Sequence, residues 1–190
     1  MALEVPSEWK AYLSVVQSNV EAAVPGAMRW VRPQILHLTL AFLGEQPTES
    51  LATIQRVLSE VAGETTVFRL EIGTLGTFGQ GGLVRTIWAA VNDPCDCLPP
   101  LHARLSSGLE GAEVSQDRQA FRPHVTLGRV RERATLPIDS QLAPALRTLP
   151  KRQQPPAFSA REIALFRSQL LPSGPLYTAI STHSFAPRDR

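Results

Sequence analysis

The sequence predicts an α+β fold built largely from antiparallel sheets. Segments with strand and helix patterns are mixed along the 190 residues instead of alternating strictly as β-α-β units, which argues against a doubly wound parallel sheet. Two apolar runs near the carboxy terminus are joined by Pro172-Ser173-Gly174-Pro175, a pattern typical of a closing β-hairpin. A polar motif that occurs twice, at His37 and at His124, favours one domain, residues 1–190, made of two lobes.

The amino-terminal part is predicted to contain two helices and four strands. Ser7 is a candidate cap for a first helix, in which apolar residues from Trp9 to Ala23 fall on one side until Pro25-Gly26 ends the helix. The same spacing predicts a second helix from Leu51 to Val61, ending at Gly63. Strands are predicted at Ala2–Val5, Met28–Val31, the first motif around His37, and Val67–Ile72.

The carboxy-terminal part begins with a glycine-rich segment. Gly73–Gly82 holds five glycines in ten residues but lacks the residue order of phosphate-binding loops, so we predict a flexible connection, with a ligand-touching loop as the alternative. A strand is predicted at Arg85–Val91 and a helix over Leu98–Leu109 that includes His102, followed by the second motif strand. A loop is predicted over Leu136–Pro156, with a short helix around Leu142–Leu149. The chain is predicted to end with a hairpin of Phe158–Leu170 and Leu176–Phe185.

The composition narrows the classes of function. Nineteen Lys and Arg against seventeen Asp and Glu permit an anionic ligand, but they do not form the charge pattern of a dedicated duplex-binding protein. No uncharged apolar run is long enough for a membrane span, and the amino terminus lacks the basic and apolar regions of a signal peptide, so we expect a cytoplasmic protein.

The two cysteines are predicted to be ordinary reduced thiols. Cys95 and Cys97 are too close in sequence for a good intrachain disulfide and one residue short of a C-x-x-C motif. A dithiol metal site would need further ligands, and only His102 is close in sequence.

The repeated motif places a histidine and a threonine on one face of a strand. The chain reads HLTL from His37 and HVTL from His124, each shortly after an Arg-Pro pair. Because a strand alternates its faces, His37 and Thr39 point the same way, and so do His124 and Thr126. The residues between them face the opposite side and are apolar. Two such strands side by side would bring two imidazoles and two hydroxyls onto one patch.

This patch suits acid-base chemistry on a phosphate. An imidazole has a pKa near neutrality, so one histidine can serve as base and another as acid in the same turnover. A threonine hydroxyl at the next position on the same face can donate to a non-bridging phosphoryl oxygen. No Asp, Glu or Cys accompanies the histidines at ligand spacing, which disfavours a metal site and predicts a reaction without a cofactor. The spacing does not decide which histidine is the acid.

The paired motifs and their flanks, RWVRPQILHLTLAFLGE and FRPHVTLGR, resemble those of the two-histidine (2H) phosphoesterases, and most closely the RNA 2′,3′-cyclic phosphodiesterases, also called 2′-5′ RNA ligases. The resemblance implies a bilobal duplicated fold, with two mostly antiparallel sheets flanking a central cleft and helices on the outside. It implies His37 as proton donor to the leaving 3′ oxygen and His124 as the base that activates water, leaving a 2′-phosphate. It also implies Thr39, Thr126 and Arg129 as substrate-binding residues.

Arg129 requires an irregular strand to reach the site. Strict alternation from His124 sends residue 129 to the opposite face, so its role needs a twist or a bulge, which Gly128 would permit.

The expected function is hydrolysis of 2′,3′-cyclic phosphate ends of RNA or small nucleotides by a monomer without metal. One alternative is RNA ligation, in which a 5′-hydroxyl joins the cyclic end in a 2′-5′ bond. A second alternative is a binding module that keeps a nucleotide or phosphate pocket without turnover.

Overall fold

The structure, a computed structural model, describes residues 1–117, 119–132, 134–137, 142–147, 157–171 and 174–187. In chain order the elements are β1 Ala2–Glu4, α1 Ser7–Ala23, β2 Met28–Trp30, β3 His37–Thr39, α2 Leu51–Gly63, β4 Phe68–Gln80, β5 Leu83–Asn92, α3 Leu98–Gly111, β6 His124–Val130, α4 Leu142–Arg147, β7 Phe158–Ala160, β8 Glu162–Leu171 and β9 Gly174–Ser184, with short 3-10 turns at Pro33–Ile35 and Thr48–Ser50.

The strands form one connected sheet of nine in the order β7-β4-β5-β6-β3-β1-β8-β9, with β2 also paired to β6. All of these strand pairs are antiparallel, which confirms the predicted antiparallel α+β class. The prediction of two separate sheets differs from this arrangement. The two motif strands, β3 and β6, are hydrogen-bonded neighbours and join the strands on either side.

The helices cover the back of the motif strands. One core cluster contains the apolar side chains of the helices together with Leu38, Val125 and Leu127, each at most 1% exposed. Helix α1 packs against β6 and α4, whereas α2 packs against α3, β8 and β9. The predicted apolar back of each motif strand is therefore confirmed, and the opposite face of these strands is left for the site.

The glycine-rich segment is a hairpin and not the predicted flexible connection. Strand β4 runs through it to Gln80, and Gly81 and Gly82 turn the chain into β5 with φ of 60° and 77°. Positive φ at both positions is what a tight two-residue hairpin requires, and glycine adopts it without strain. The indole of Trp88 occupies the space that a side chain at position 76 would need, because a Cβ on Gly76 would lie 2.3 Å from the indole ring. The glycines thus make room for a cross-strand contact.

Other element predictions were close. Ser7 is the first residue of α1 and not its cap; Pro6 holds the cap position, and the Ser7 hydroxyl donates to Glu8 Oε2 at 3.1 Å. The short helix in the proline-rich segment covers Leu142–Arg147, and residues 138–141 and 148–156 lie outside the described part. The closing hairpin is confirmed as β8 and β9, and β9 begins at Gly174, inside the predicted loop. The predicted strand Phe158–Leu170 is divided, because Phe158–Ala160 forms β7 and pairs with β4 instead of β9. Residues 172 and 173 lie outside the described part. Within the described ranges, no helix combines the length and apolar character needed to cross a membrane.

Candidate active site

The register of β3 and β6 brings the two motifs together. Leu38 of β3 pairs with Val125 of β6 in antiparallel orientation. In an antiparallel pair, the residue before Leu38 lies opposite the residue after Val125, on the same face. Each motif histidine therefore lies opposite the threonine of the other motif. His37 and His124 are then diagonal neighbours, about 7–8 Å apart along the sheet, a span that one phosphate can bridge.

Both imidazoles are fixed in the same way. His37 Nδ1 lies 2.8 Å from the Ile35 carbonyl oxygen, and His124 Nδ1 lies 2.6 Å from the Arg122 carbonyl oxygen. A carbonyl oxygen only accepts, so Nδ1 carries the proton and donates in each ring. Nε2 of each neutral ring is left with its lone pair and can take up or release a proton. Both rings therefore have the orientation and the tautomer that an acid-base pair requires.

Burial lowers the pKa of His37 below its ordinary value of 6.5. The hydrogen bond to Ile35 acts in the opposite direction, and the charge of His124 adds to the lowering. Because the protonated form is penalised, an anion bound between the rings would favour it again.

Two aromatic rings flank each histidine, and these are residues to which the sequence analysis gave no role. The ring centroid distances are 5.2 Å from His37 to Tyr177, 6.2 Å from His37 to Phe166, 5.0 Å from His124 to Phe78 and 5.8 Å from His124 to Trp88. Phe78 belongs to the segment predicted as a flexible connection. Leu75 and Phe78 are the large apolar residues of Gly73–Gly82 and stand three apart, so no period-two alternation indicated the strand that brings Phe78 onto the sheet.

A bulge in β6 places Arg129 on the face that carries the motif. Thr126 pairs with Trp88 and Arg129 pairs with Thr86, so Leu127 is an extra residue in β6 opposite an unbroken stretch of β5. Trp88 and Thr86 are two apart and share a face, and cross-strand partners lie on the same face. The bulge that the sequence analysis required for Arg129 is therefore present. The arginine is exposed and pairs across the strand with Arg29 of β2, which is also exposed.

A buried side chain of α1 holds this bulge. Gln17 is 6% exposed, and its Nε2 donates to the Val31 carbonyl at 2.7 Å and to the Leu127 carbonyl at 2.9 Å. The Leu127 carbonyl also accepts from the Val31 backbone N–H at 2.8 Å. A buried amide bonded twice to the backbone is costly to disturb. Gln17 thus ties α1 to the irregular point of β6, a role that helical periodicity did not reveal.

The residues able to hold a metal lie apart from the motif strands. Among the described residues, Asp93, Cys95 and Cys97 form the group of acidic, thiol and imidazole side chains spaced for an ion, and neither motif histidine belongs to it. The metal-free reaction at the histidines stays a prediction.

Comparison with known proteins shows the family of the chain. The model of the 2′-5′ RNA ligase superfamily matches residues 9–170. The chain belongs to this superfamily, whose members are 2H phosphoesterases. A superfamily member from Geobacillus stearothermophilus, named RNA 2′,3′-cyclic phosphodiesterase, is 30% identical over 170 residues that cover 90% of this chain and 52% of that protein. The chain thus spans about half the length of that relative.

Relatives of similar length were also found. A Thermus thermophilus protein, also named RNA 2′,3′-cyclic phosphodiesterase, is 30% identical over 198 residues, which cover 96% of this chain and 87% of that protein. A solved structure from Thermus thermophilus superimposes with a TM-score of 0.75 at 27% identity, covering 97% of this chain and 95% of the other. The LigT protein of E. coli in complex with 3′-AMP superimposes with a TM-score of 0.70 at 25% identity, with the same coverage of both chains.

Proposed function

We propose that this chain is an RNA 2′,3′-cyclic phosphodiesterase that opens the cyclic phosphate with its two motif histidines. The observation that carries the proposal is the register of β3 and β6, which makes His37 and His124 diagonal neighbours; a backbone carbonyl holds Nδ1 of each ring, and Nε2 is the remaining ring nitrogen. The relatives named RNA 2′,3′-cyclic phosphodiesterase and the LigT complex with 3′-AMP support the substrate class.

In the proposed reaction, neutral His124 removes a proton from water as the water oxygen attacks phosphorus. Protonated His37 gives its proton to the departing 3′ oxygen, so the phosphate remains on the 2′ oxygen. Each proton is thereby transferred once, and the two histidines end in exchanged protonation states. Each positioned transfer contributes about 10²–10⁴-fold to the rate.

The remaining groups act on the phosphate oxygens. The hydroxyls of Thr39 and Thr126 donate to non-bridging oxygens, where charge is held as the bond order changes. Arg129 adds a cation on the same face through the bulge in β6. No step of this scheme requires a metal ion.

The test is the activity of His37→Ala and His124→Ala on a nucleoside 2′,3′-cyclic monophosphate with chelator present. We expect each variant to lose at least about 10²-fold in kcat, because one of the two proton transfers is lost. His183→Ala is the matched control, since His183 lies on β9 and contacts Ser181 outside the motifs, and it should keep wild-type activity. Full activity in either motif variant, or abolition of wild-type activity by the chelator, would contradict the mechanism.

The position of the product phosphate tests the proposed leaving group. Incubation with each of the four nucleoside 2′,3′-cyclic monophosphates should give the 2′-phosphate. Binding of the nucleotide by calorimetry without hydrolysis over hours would instead identify a binding module.

We also propose 2′-5′ RNA ligation as a second activity of the same groups, which the name of the superfamily favours. His124 would then remove the proton from the attacking 5′-hydroxyl in place of water, and His37 would protonate the departing 3′ oxygen as before. Water is the abundant nucleophile, so hydrolysis should dominate unless a second RNA end is held in place. Product analysis with both RNA halves present measures the balance.

The two halves of the sheet support the proposal of a duplicated, bilobal domain. One half holds β3, β1, β8 and β9 with α2 against them, and the other holds β6, β5, β4, β7 and β2 with α1 against β6. Each half supplies one histidine, one threonine and two flanking rings. Because one chain supplies both motifs, a monomer is sufficient. We propose that it acts in the cytoplasm, where its free thiols would stay reduced.

A further inference from the structure

A second group of chemically reactive side chains lies between β5 and α3. In the sequence, only His102 is close to Cys95 and Cys97 as a further ligand, but the fold supplies Asp93 instead. One potential ligand atom from each of Asp93, Cys95 and Cys97 lies within 4.8 Å of the other two. His102 is otherwise engaged, because its ring stacks on Phe121 with centroids 4.2 Å apart.

The connection is folded so that these atoms converge. The Asp96 backbone N–H donates to the Asp93 carbonyl at 3.1 Å, and Asp96 itself has a φ of 52°. Asp93 Oδ2 accepts from the Leu98 backbone N–H at 2.6 Å, which fixes the carboxylate at the start of α3. Its other oxygen, Oδ1, accepts from Cys95 Sγ at 3.2 Å. The carboxylate thus has one oxygen tied to the backbone and one directed at a thiol.

We propose that Asp93, Cys95 and Cys97 bind a thiophilic divalent cation of the Zn²⁺ type. Zn²⁺ takes thiolate and carboxylate ligands in a tetrahedron, with Zn–S about 2.3 Å, which puts two sulfur atoms about 3.8 Å apart. Ligand atoms already within 4.8 Å of one another reach this geometry by shifts of about 1 Å. Two thiolates and one carboxylate supply three negative charges for the cation.

Binding is accompanied by the loss of two protons. Each thiol ligates as thiolate, so the proton that Cys95 shares with Asp93 and the proton of Cys97 pass to the buffer, and no bond other than S–H is broken. Because both thiols must lose a proton before they ligate, affinity for the cation increases with pH. Cys95 is exposed, so solvent reaches the ion and a water completes the tetrahedron.

The ligands of this site lie outside the motif strands. The site is therefore independent of the proposed phosphodiesterase activity, and the two can be tested separately on the same chain.

The experiment is a Co²⁺ titration of the full chain, freed of metal and kept reduced, followed by displacement with Zn²⁺. We expect one Co²⁺ per chain, a near-ultraviolet thiolate-to-cobalt absorption band, and loss of that band as Zn²⁺ is added. Cys95→Ser and Cys97→Ser should each weaken Zn²⁺ binding at least about 10-fold, as should Asp93→Asn, which keeps an oxygen for Leu98 but removes the charge. Asp117→Asn, at an exposed carboxylate of another loop, is the control and should bind like wild type.

Two results would overturn the site. One is the absence of the charge-transfer band in the wild-type protein when thiol titration counts two free thiols. The other is wild-type affinity in Cys95→Ser and Cys97→Ser with circular dichroism unchanged. Hydrolysis of the cyclic phosphate by the cysteine variants should stay at the wild-type rate, so a failure of the metal site and a failure of the proposed function are read from separate measurements.

Discussion

At the residue scale, the chemistry of the site depends on which form of His37 is present before substrate binds. Burial lowers the pKa of this imidazole, so the neutral form is favoured at lower pH than in an ordinary histidine. The proposed role of His37 is that of the acid, which needs the protonated form. In the proposed mechanism a cyclic phosphate bound between the rings would reconcile the two, because its negative charge would stabilise the imidazolium.

The pH dependence of the reaction rate follows from the direction of this pKa shift. A proton donor is active below its pKa, so a lowered pKa moves the alkaline loss of activity to lower pH. We expect kcat/KM, which reports the free enzyme, to fall on its alkaline side from below the ordinary imidazole value of 6.5. The alkaline limb of kcat, which reports the complex, should lie at higher pH. Steady-state rates on a nucleoside 2′,3′-cyclic monophosphate from about pH 5 to about pH 9 measure both limbs.

Two outcomes would contradict this assignment. A rate that rises monotonically across this pH range would show that the reaction needs no protonated group as general acid. If the acidic limb of the profile were shifted to lower pH and the alkaline limb were not, His37 would be the base and His124 the acid.

At the element scale, the irregularity in β6 matters as much as its regular part. An unbroken alternation would leave Arg129 on the face opposite Thr126, and the extra residue at Leu127 corrects this. The bulge is held from behind by Gln17 of α1, whose amide donates to the carbonyls on both sides of the junction with β2. We therefore expect α1 to influence the position of Arg129 through this bulge.

Gln17→Met tests this connection, because methionine has a similar length but no N–H donor. We expect the free energy of unfolding to fall by about 1–3 kcal/mol, since the Val31 and Leu127 carbonyls each lose the donor that Gln17 supplies. We also expect a lower kcat/KM, and this loss should disappear in an Arg129→Ala background, because the glutamine acts through the arginine. The double-mutant cycle on kcat/KM, together with chemical denaturation, measures both effects.

Val20→Ala in the same buried face of α1 is the control. It should lower stability without the coupling to Arg129. Additive effects of Gln17→Met and Arg129→Ala on kcat/KM would show that Gln17 contributes to stability alone.

At the scale of the whole molecule, the site is assembled where the two halves of the sheet meet. The described contact between them in the sheet is the pairing of Leu38 with Val125, and both side chains are 1% exposed in the core beneath the histidines. We therefore expect the distance between the two imidazoles to depend on packing at this seam.

Leu38→Ala tests whether packing at the seam positions the two histidines in addition to stabilising the fold. We expect a loss of about 2–5 kcal/mol in the free energy of unfolding from the cavity, and a fall in kcat under conditions where the variant is folded. Leu105→Ala in α3, at a position that is 0% exposed and away from the seam, should cost similar stability but keep kcat. Unfolding by denaturant and steady-state kinetics on the same preparations make the comparison. Equal kcat in both variants would show that the seam does not set the geometry of the site.

The sequence by itself determined most of the elements and the four motif residues. Helices α1, α2 and α3, and the apolar back of β3 and β6, follow from side-chain periodicity, which is a local property of the chain. The same rule places His37 and Thr39 on one face of their strand, and His124 and Thr126 on one face of theirs. The α+β antiparallel class could be predicted because the order of the elements excludes β-α-β units.

Only the tertiary structure decided how distant segments meet. The hairpin that brings Phe78 beside His124, the extra residue at Leu127, the contact of Gln17 with that bulge, and the approach of Asp93 to two thiols depend on register and packing between separate elements. A shift of one residue in a strand reverses every side chain, and no local pattern specifies which residue lies opposite which. The strand faces that carry the motif residues could therefore be predicted from the chain, whereas the side chains that surround them were set by its folding.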